Sequence, residues 1–230
     1  MVTIFKTLSQ TNTPFFKDID FILDRIKSGK SKTIVENIRK QKTKELADKI
    51  KVTLPAICFS GTFTKRADNA ICEHSGYICL DFDKYETDEL LNADIEKLKA
   101  DKYTYSLFIS PSGNGVKVII QIPKDIENHK LYFDALDQHF DNKHFDTTSK
   151  NISRICFESY DPNIYINKKS KIWTEKLENQ QYDYRFKAPV IRLENENEII
   201  KRLWSWFNKK YSMNKGSRNH NLFILVSAFS

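Results

Sequence analysis

Gly76-Tyr77-Ile78-Cys79-Leu80-Asp81-Phe82-Asp83 begins apolar and ends in two carboxylates. A short apolar run of this kind, entered from a glycine and left through charge, reads as a strand. Side chains two apart on a strand share a face, so Asp81 and Asp83 project together from its end. Carboxylates held that close repel. A hard divalent cation, Mg²⁺ or Mn²⁺, relieves the repulsion and can meet a nucleotide's phosphates at the same time. A strand end opened into solvent has the same sequence and no such role.

On either side the chain alternates short apolar runs with amphipathic stretches. Ala56 to Gly61 reads as a buried strand, with a polar loop, Thr62 to Ser75, between it and the acid-bearing strand. Asp88 to Lys99 has Leu91, Ile95 and Leu98 at helical spacing. Tyr103 to Ser110 and Val116 to Ile122 read as strands joined by the turn Ser112-Gly113-Asn114-Gly115. His129 to Phe140 suits a helix, Ser153 to Glu158 a strand, and Pro162 to Trp173 irregular structure. Toward the N-terminus, Ile19–Ile26 and Ile34–Ile50 read as two basic helices broken at Ser28-Gly29-Lys30-Ser31.

The whole is an α+β arrangement of 230 residues, 40% hydrophobic, enough for one sizeable core and a small appendage. We divide it into a domain at 1–178 (a basic helical part at 1–53, an acid-bearing sheet core at 54–178), a polar linker or packed arm at 179–194, and a helical appendage at 195–230. The appendage stripe of Ile199, Ile200, Leu203, Trp204 and Phe207, and the apolar run from Leu222, need partners to bury them. That makes 195–230 read as the start of a longer helical domain. No apolar run approaches a membrane span and the first residues are too polar for a signal peptide, which points to a soluble cytoplasmic protein. Cys58, Cys72, Cys79 and Cys156 lack the paired spacing of a disulfide scaffold, and Cys72, His74 and Cys79 lack the CxxC of a zinc site.

Net charge is +7. Between Arg25 and Lys51 ten basic residues face three acids, so this segment equals the whole excess. Lys40, Lys42 and Lys44 within it are candidates for tracking a phosphate backbone, against the alternative of a solvated helix face. In the turn after Ser110, Gly113 and Gly115 let backbone N–H groups approach an anion, Ser112 adds a hydroxyl, and Lys117 adds a point charge. An ordinary hairpin turn is the rival reading. Asp146 suits either a third metal-binding acid or a local cap. Arg154 suits either a carboxylate or a phosphate. Lys65 and Arg66, in the loop before the acid-bearing strand, suit phosphate or template.

In this order the features resemble the archaeo-eukaryotic primase superfamily: an apolar strand ending in DxD, an S-x-S-G-x-G-x-K turn entering a strand, and a later acid followed by Ser153-Arg154. The nearest branch is the primase-like domain of VirE-type proteins of Bacteroidetes and their mobile elements. Leu54-Pro55, Gly61, Arg66, His74-Ser75-Gly76 and Ser159-Tyr160-Asp161-Pro162 share in the resemblance, which covers about residues 50–170.

The resemblance implies an RRM-like antiparallel sheet with a basic N-terminal αβ unit. It implies metal-binding and catalytic roles for Asp81, Asp83 and Asp146, and nucleotide-phosphate roles for Ser110, Ser112, Gly113, Gly115, Lys117 and Arg154. The implied activity is a DNA primase-polymerase that uses Mg²⁺ or Mn²⁺ and nucleoside triphosphates on a single-stranded DNA template, with a helicase domain as partner. Lys117 departs from the histidine usual at its position; it keeps a cation for phosphate and loses the ring. Two rivals stand beside this reading. One is a primase-derived single-stranded DNA-binding module, in which Tyr103, Tyr105, Trp204 and Trp206 would stack on bases. The other is a metal-dependent nuclease in which His144 joins the acids.

Overall fold

The computed structural model describes residues 1–177 and, farther along, the helical residues Lys201, Arg202, Trp204, Ser205 and Phe207. The chain divides into two compact units, Met1–Asn179 and Gln180–Ser230. The expected linker, Trp206 and most of the expected appendage lie outside the described residues; in the second unit Trp204 stacks on Phe207 at 6.2 Å.

The first unit is mixed α/β, and its strand pairs are antiparallel. Its elements begin with β1 (Val2–Phe5), β2 (Pro14–Lys17), α1 (Ile19–Ser28), α2 (Lys32–Arg39), α3 (Lys44–Lys51), β3 (Ala56–Cys58) and β4 (Gly61–Phe63). They continue with β5 (Ile71–His74), β6 (Tyr77–Phe82), α4 (Asp88–Ala100), β7 (Thr104–Ile109), β8 (Val116–Gln121), α5 (His129–Phe140), β9 (Cys156–Phe157) and β10 (Tyr165–Ile166).

One sheet, in the order β10-β7-β8-β6, carries the acids. Strand β6 alternates as its sequence demands: Ile78, Leu80 and Phe82 are buried, while Tyr77, Cys79 and Asp81 are half-buried on the other face. The first set packs under α4 and α5 with Leu91, Ile95, Phe133 and Leu136. Tyr77 and Cys79 turn toward a second core, where α1 contributes Ile22, Leu23 and Ile26 and the other sheet contributes Val2, Ile57 and Cys156.

That other sheet runs β2-β1-β3-β9. Its strands β3 and β9 fall within the stretches read as strands, Ala56–Gly61 and Ser153–Glu158, but β1 and β2, four residues each, carry no alternation to detect. The region read as helical, 1–53, therefore also holds two strands. The stretch read as the loop Thr62–Ser75 is largely a hairpin of β4 and β5, entered by a tight turn at Asp68–Ala70. Here Gly61 is needed, since a Cβ would sit 2.2 Å from the Glu73 carbonyl. The single helix read across Ile34–Ile50 is two, because Thr43 caps a new start by accepting from the Leu46 N–H. Among the described residues no helix is long and apolar enough to cross a membrane.

Candidate functional site

The acids reach one rim through the backbone. Antiparallel pairing sets Asp81 of β6 opposite Lys117 of β8, and their side chains form an ion pair in which both are largely covered. Beyond the strand, Phe82 bridges Phe145. The Asp146 N–H donates to the Asp81 carbonyl at 2.8 Å and the Asp83 N–H donates to the His144 carbonyl at 2.9 Å. The later acid is thus bound to the DxD strand, 65 positions away in sequence, by main-chain hydrogen bonds. His144 has no part as an exposed base: it is buried, stacks on Tyr85 at 3.9 Å, and its Nδ1–H donates to the Asp83 carbonyl. At Lys84 the chain leaves the rim through a left-handed conformation, φ 62°.

Cations balance the acids. Burial opposes the charge on Lys117, but Asp81, then Cys156 and Cys79, outweigh it and hold the ammonium above its ordinary pKa. Arg154 reaches Asp146 at 3.1 Å. The other oxygen of Asp146 accepts from the Thr148 N–H and hydroxyl at 3.1 and 2.6 Å. Burial pushes the Asp146 pKa up; the Thr148 hydrogen bonds, with Arg154 and Lys117, more than reverse this and leave it below the ordinary value.

Around the Asp81–Lys117 pair open two hollows. One, about 260 Å³, is lined by Lys51, Arg66, Asp81, Lys117, Arg154 and Cys156 among others. The second, about 590 Å³, runs from Asp81, Asp83 and Lys117 past Ser110, Ser112 and Asn114 to Arg39, Lys42, Lys44 and Lys51.

The Ser110–Gly115 turn is closed by its own backbone, Ser110 N–H to Gly115 O at 2.8 Å and Gly113 N–H to Ser110 O at 3.0 Å. Those two donors are not offered to a ligand. Gly115 is required by contact, since a Cβ there would come within 2.6 Å of the Phe82 carbonyl. The turn and the acid rim are therefore one packed piece.

Arg39, counted in sequence only for its charge, is the residue that sequence reasoning missed. Its Nη2 donates to the carbonyls of Ser110 and Tyr160, each at 3.1 Å, and its stem lies beside Gly113. The available signal was spacing, since Arg39 follows the buried Val35 by one helical turn. The 158–161 stretch it touches is itself anchored. The Ser159 hydroxyl donates to Ile109 O at 2.6 Å, and Asp161 accepts the Ile109 N–H at 2.9 Å.

Not every expected residue joins this site. Lys40 and Lys65 are exposed and line neither hollow. Tyr105 is buried with its hydroxyl toward Asp20, and Tyr103 packs edge-on to Trp173, so neither offers a free face for base stacking. Cys72 is exposed while His74 bonds His129.

The acids supply the hard oxygen donors that a divalent ion prefers. Among the described residues, however, no three His, Cys, Asp or Glu side chains converge as a ligand set. Asp81 is committed to Lys117, Asp146 to Arg154 and Thr148, and Asp83 lies 3.9 Å from Lys84. As arranged, the residues do not fit a metal centre, and no chemical step through a metal follows from them.

Fold and cleft together define a mixed α/β domain with a cation-rich hollow at the end of an acid-bearing strand. The model of the family described as BT4734-like, N-terminal domain, matches residues 49–166, more than half the chain, and the chain belongs to that family. Among solved structures it is similar to the AEP domain of the cyanophage S-2L primase-polymerase. That likeness has 15% identity and a TM-score of 0.38, over 57% of this chain and 72% of that one. No curated protein matches the chain.

Proposed function

We propose that the chain is a primase-like domain that holds a nucleoside triphosphate and single-stranded DNA in this cleft, in the replication of a mobile element or phage. In this reading the acid-bearing sheet is the RRM-like primase core. The observation that carries the proposal is the charge arrangement: Lys117, Arg154, Arg66 and Lys51 line one hollow, continuous through Asp81 and Lys117 with a groove bearing Lys42 and Lys44. Phosphates of a nucleotide suit the first, a strand's backbone the second. Binding is what this arrangement supports directly. Template-directed nucleotidyl transfer is the second reading, favoured by the backbone bond that fixes Asp146 beside Asp81.

One incubation separates the readings: protein, Mn²⁺ or Mg²⁺, labelled nucleotide and a single-stranded template. Extension makes the domain a transferase, cleavage makes it a nuclease, and retention without product makes it a holding module that serves another domain such as a helicase. Failure to retain nucleotide or strand would remove the proposal altogether.

Lys117→Ala should weaken nucleotide binding by about 1.5–3 kcal/mol, the range for hydrogen bonds to charged groups, with little change in strand affinity. Lys117→His should recover part of the loss near neutral pH. Asp81→Asn then divides the two readings: a holding site binds at least as well without a carboxylate facing the phosphates, whereas a transferase loses incorporation. For the groove, Lys42→Ala with Lys44→Ala should flatten the dependence of log K on log salt by about 1.4, two single-strand phosphate contacts. Lys40→Ala, outside the hollow, should leave the slope alone; equal effects from all three would make the dependence one of general charge.

A further inference from the structure

Two of the four cysteines meet under the cleft. Cys79 lies on the Asp81 face of β6, in the acid-bearing sheet; Cys156 opens β9, in the other sheet. The two side chains pack into the same core, where the Cys79 thiol donates to the Leu80 carbonyl and the Cys156 thiol to the Phe157 carbonyl. Both line a small hollow with Asp81, Lys117, Ser149 and Arg154, and Cys156 also lines the 260 Å³ hollow that opens beside it. Both thiols are free. A buried cysteine without a partner is an inert small hydrophobe, but two thiols lining one small hollow beside a lysine ammonium and a wider opening have what thiol oxidation needs: a second sulfur, a stabilising cation and a route for the oxidant. Cys58, buried where its sulfur donates to the Ser153 carbonyl, and Cys72, exposed on β5, lack such a partner thiol among the described residues.

We infer that Cys79 and Cys156 are a reversible redox modification site, at which a hydroperoxide joins the two sheets through a disulfide. In the first step the Cys156 sulfur attacks the peroxide: an S–O bond forms, the O–O bond breaks, and the thiol proton leaves on the released alcohol or water. In the second the Cys79 sulfur attacks the resulting sulfenic acid, the S–S bond forms, the S–O bond breaks, and water departs with the Cys79 proton. Two electrons pass from the two thiols to one peroxide. A small dithiol reverses the reaction by exchange.

The bond would draw the Asp81 end of β6 toward β9 beneath Lys117. The oxidised protein should accordingly hold nucleotide more weakly, and that second effect rests on the function proposed above while the cross-link itself does not.

The test is to treat the folded chain with hydrogen peroxide, count free thiols and map the digested peptides without reductant. The expected result is loss of two of the four thiols and a single linked peptide pair containing Cys79 and Cys156, restored by dithiothreitol. Cys58→Ser with Cys72→Ser should still cross-link, whereas Cys79→Ser and Cys156→Ser should not. Oxidation confined to Cys72, or Cys156 driven to sulfinic acid with no linked pair, would overturn the site. A cross-link that forms and leaves nucleotide affinity unchanged would keep the modification and overturn its coupling to the cleft.

Discussion

Arg25→Ala should cost the fold about 3–5 kcal/mol, the range for stripping the partner from a buried charge. Glu158 is wholly buried. Its carboxylate accepts from Arg25 Nε at 2.6 Å and Nη2 at 3.0 Å, and from the Ser31 hydroxyl. Removing Arg25 strands that charge. Glu158→Ala should cost less, because Arg25 is already a quarter exposed and can turn to water. The paired change Arg25→Met with Glu158→Leu should recover much of the loss, since apolar replacements of a buried ion pair are often neutral or better. Urea unfolding reads all three as shifts in midpoint at constant slope. A loss below about 1 kcal/mol for Arg25→Ala would place the pair with ordinary surface bridges.

Acid should weaken the protein through two histidines far from the cleft. Gly76 N–H donates to His74 Nδ1 at 3.0 Å, so the His74 proton sits on Nε2 and points to His129 Nδ1, 3.1 Å away. Both rings are thus neutral. Burial is the main cause that lowers His74 to about 4 and His129 to about 3, against an ordinary 6.5. With folded values depressed, the unfolded chain binds more protons below the ordinary value. Stability is full above it and falls as pH drops toward the folded values, by about 2 kcal/mol per ring near pH 5. Urea midpoints measured from neutral to mildly acid pH should show this loss, and His74→Gln should remove much of it. A pH-independent midpoint across that window would mean the rings are not buried neutral.

What could be read in advance follows from where the information lies. Strands β6 and β8 were legible because six residues of alternation, Ile78-Leu80-Phe82 and Val116-Val118-Ile120, state their buried faces without help. So was α4, with a Thr87 cap and a Leu91-Ile95-Leu98 stripe. Strand β1 of the second sheet was not, since Val2–Phe5 is buried on both sides and its reason for being a strand is the partner on each flank. In the site, Asp81 and Asp83 were evident from spacing alone. That Asp146 would join them depended on hydrogen bonds between main chains 65 positions apart, and that Arg39 would brace the turn depended on where α2 docks. Neither is local. The pairing of Asp81 with Lys117 needed the register of two strands, which the hairpin turn hints at and only the folded sheet settles.

The position of β1 bears on how the chain can be cut. The family resemblance begins at residue 49, yet the strand filling the space between β2 and β3 is Val2–Phe5, with Val2 and Phe5 fully enclosed. A fragment trimmed to the recognisable segment would turn β3 into an open edge of three residues, uncover Ile57 and Phe59, and lose Arg39 from beneath the turn. Such an edge invites pairing with neighbouring chains. Recognisability and cooperative folding have different borders here, and a soluble shortened version has to be measured from Val2.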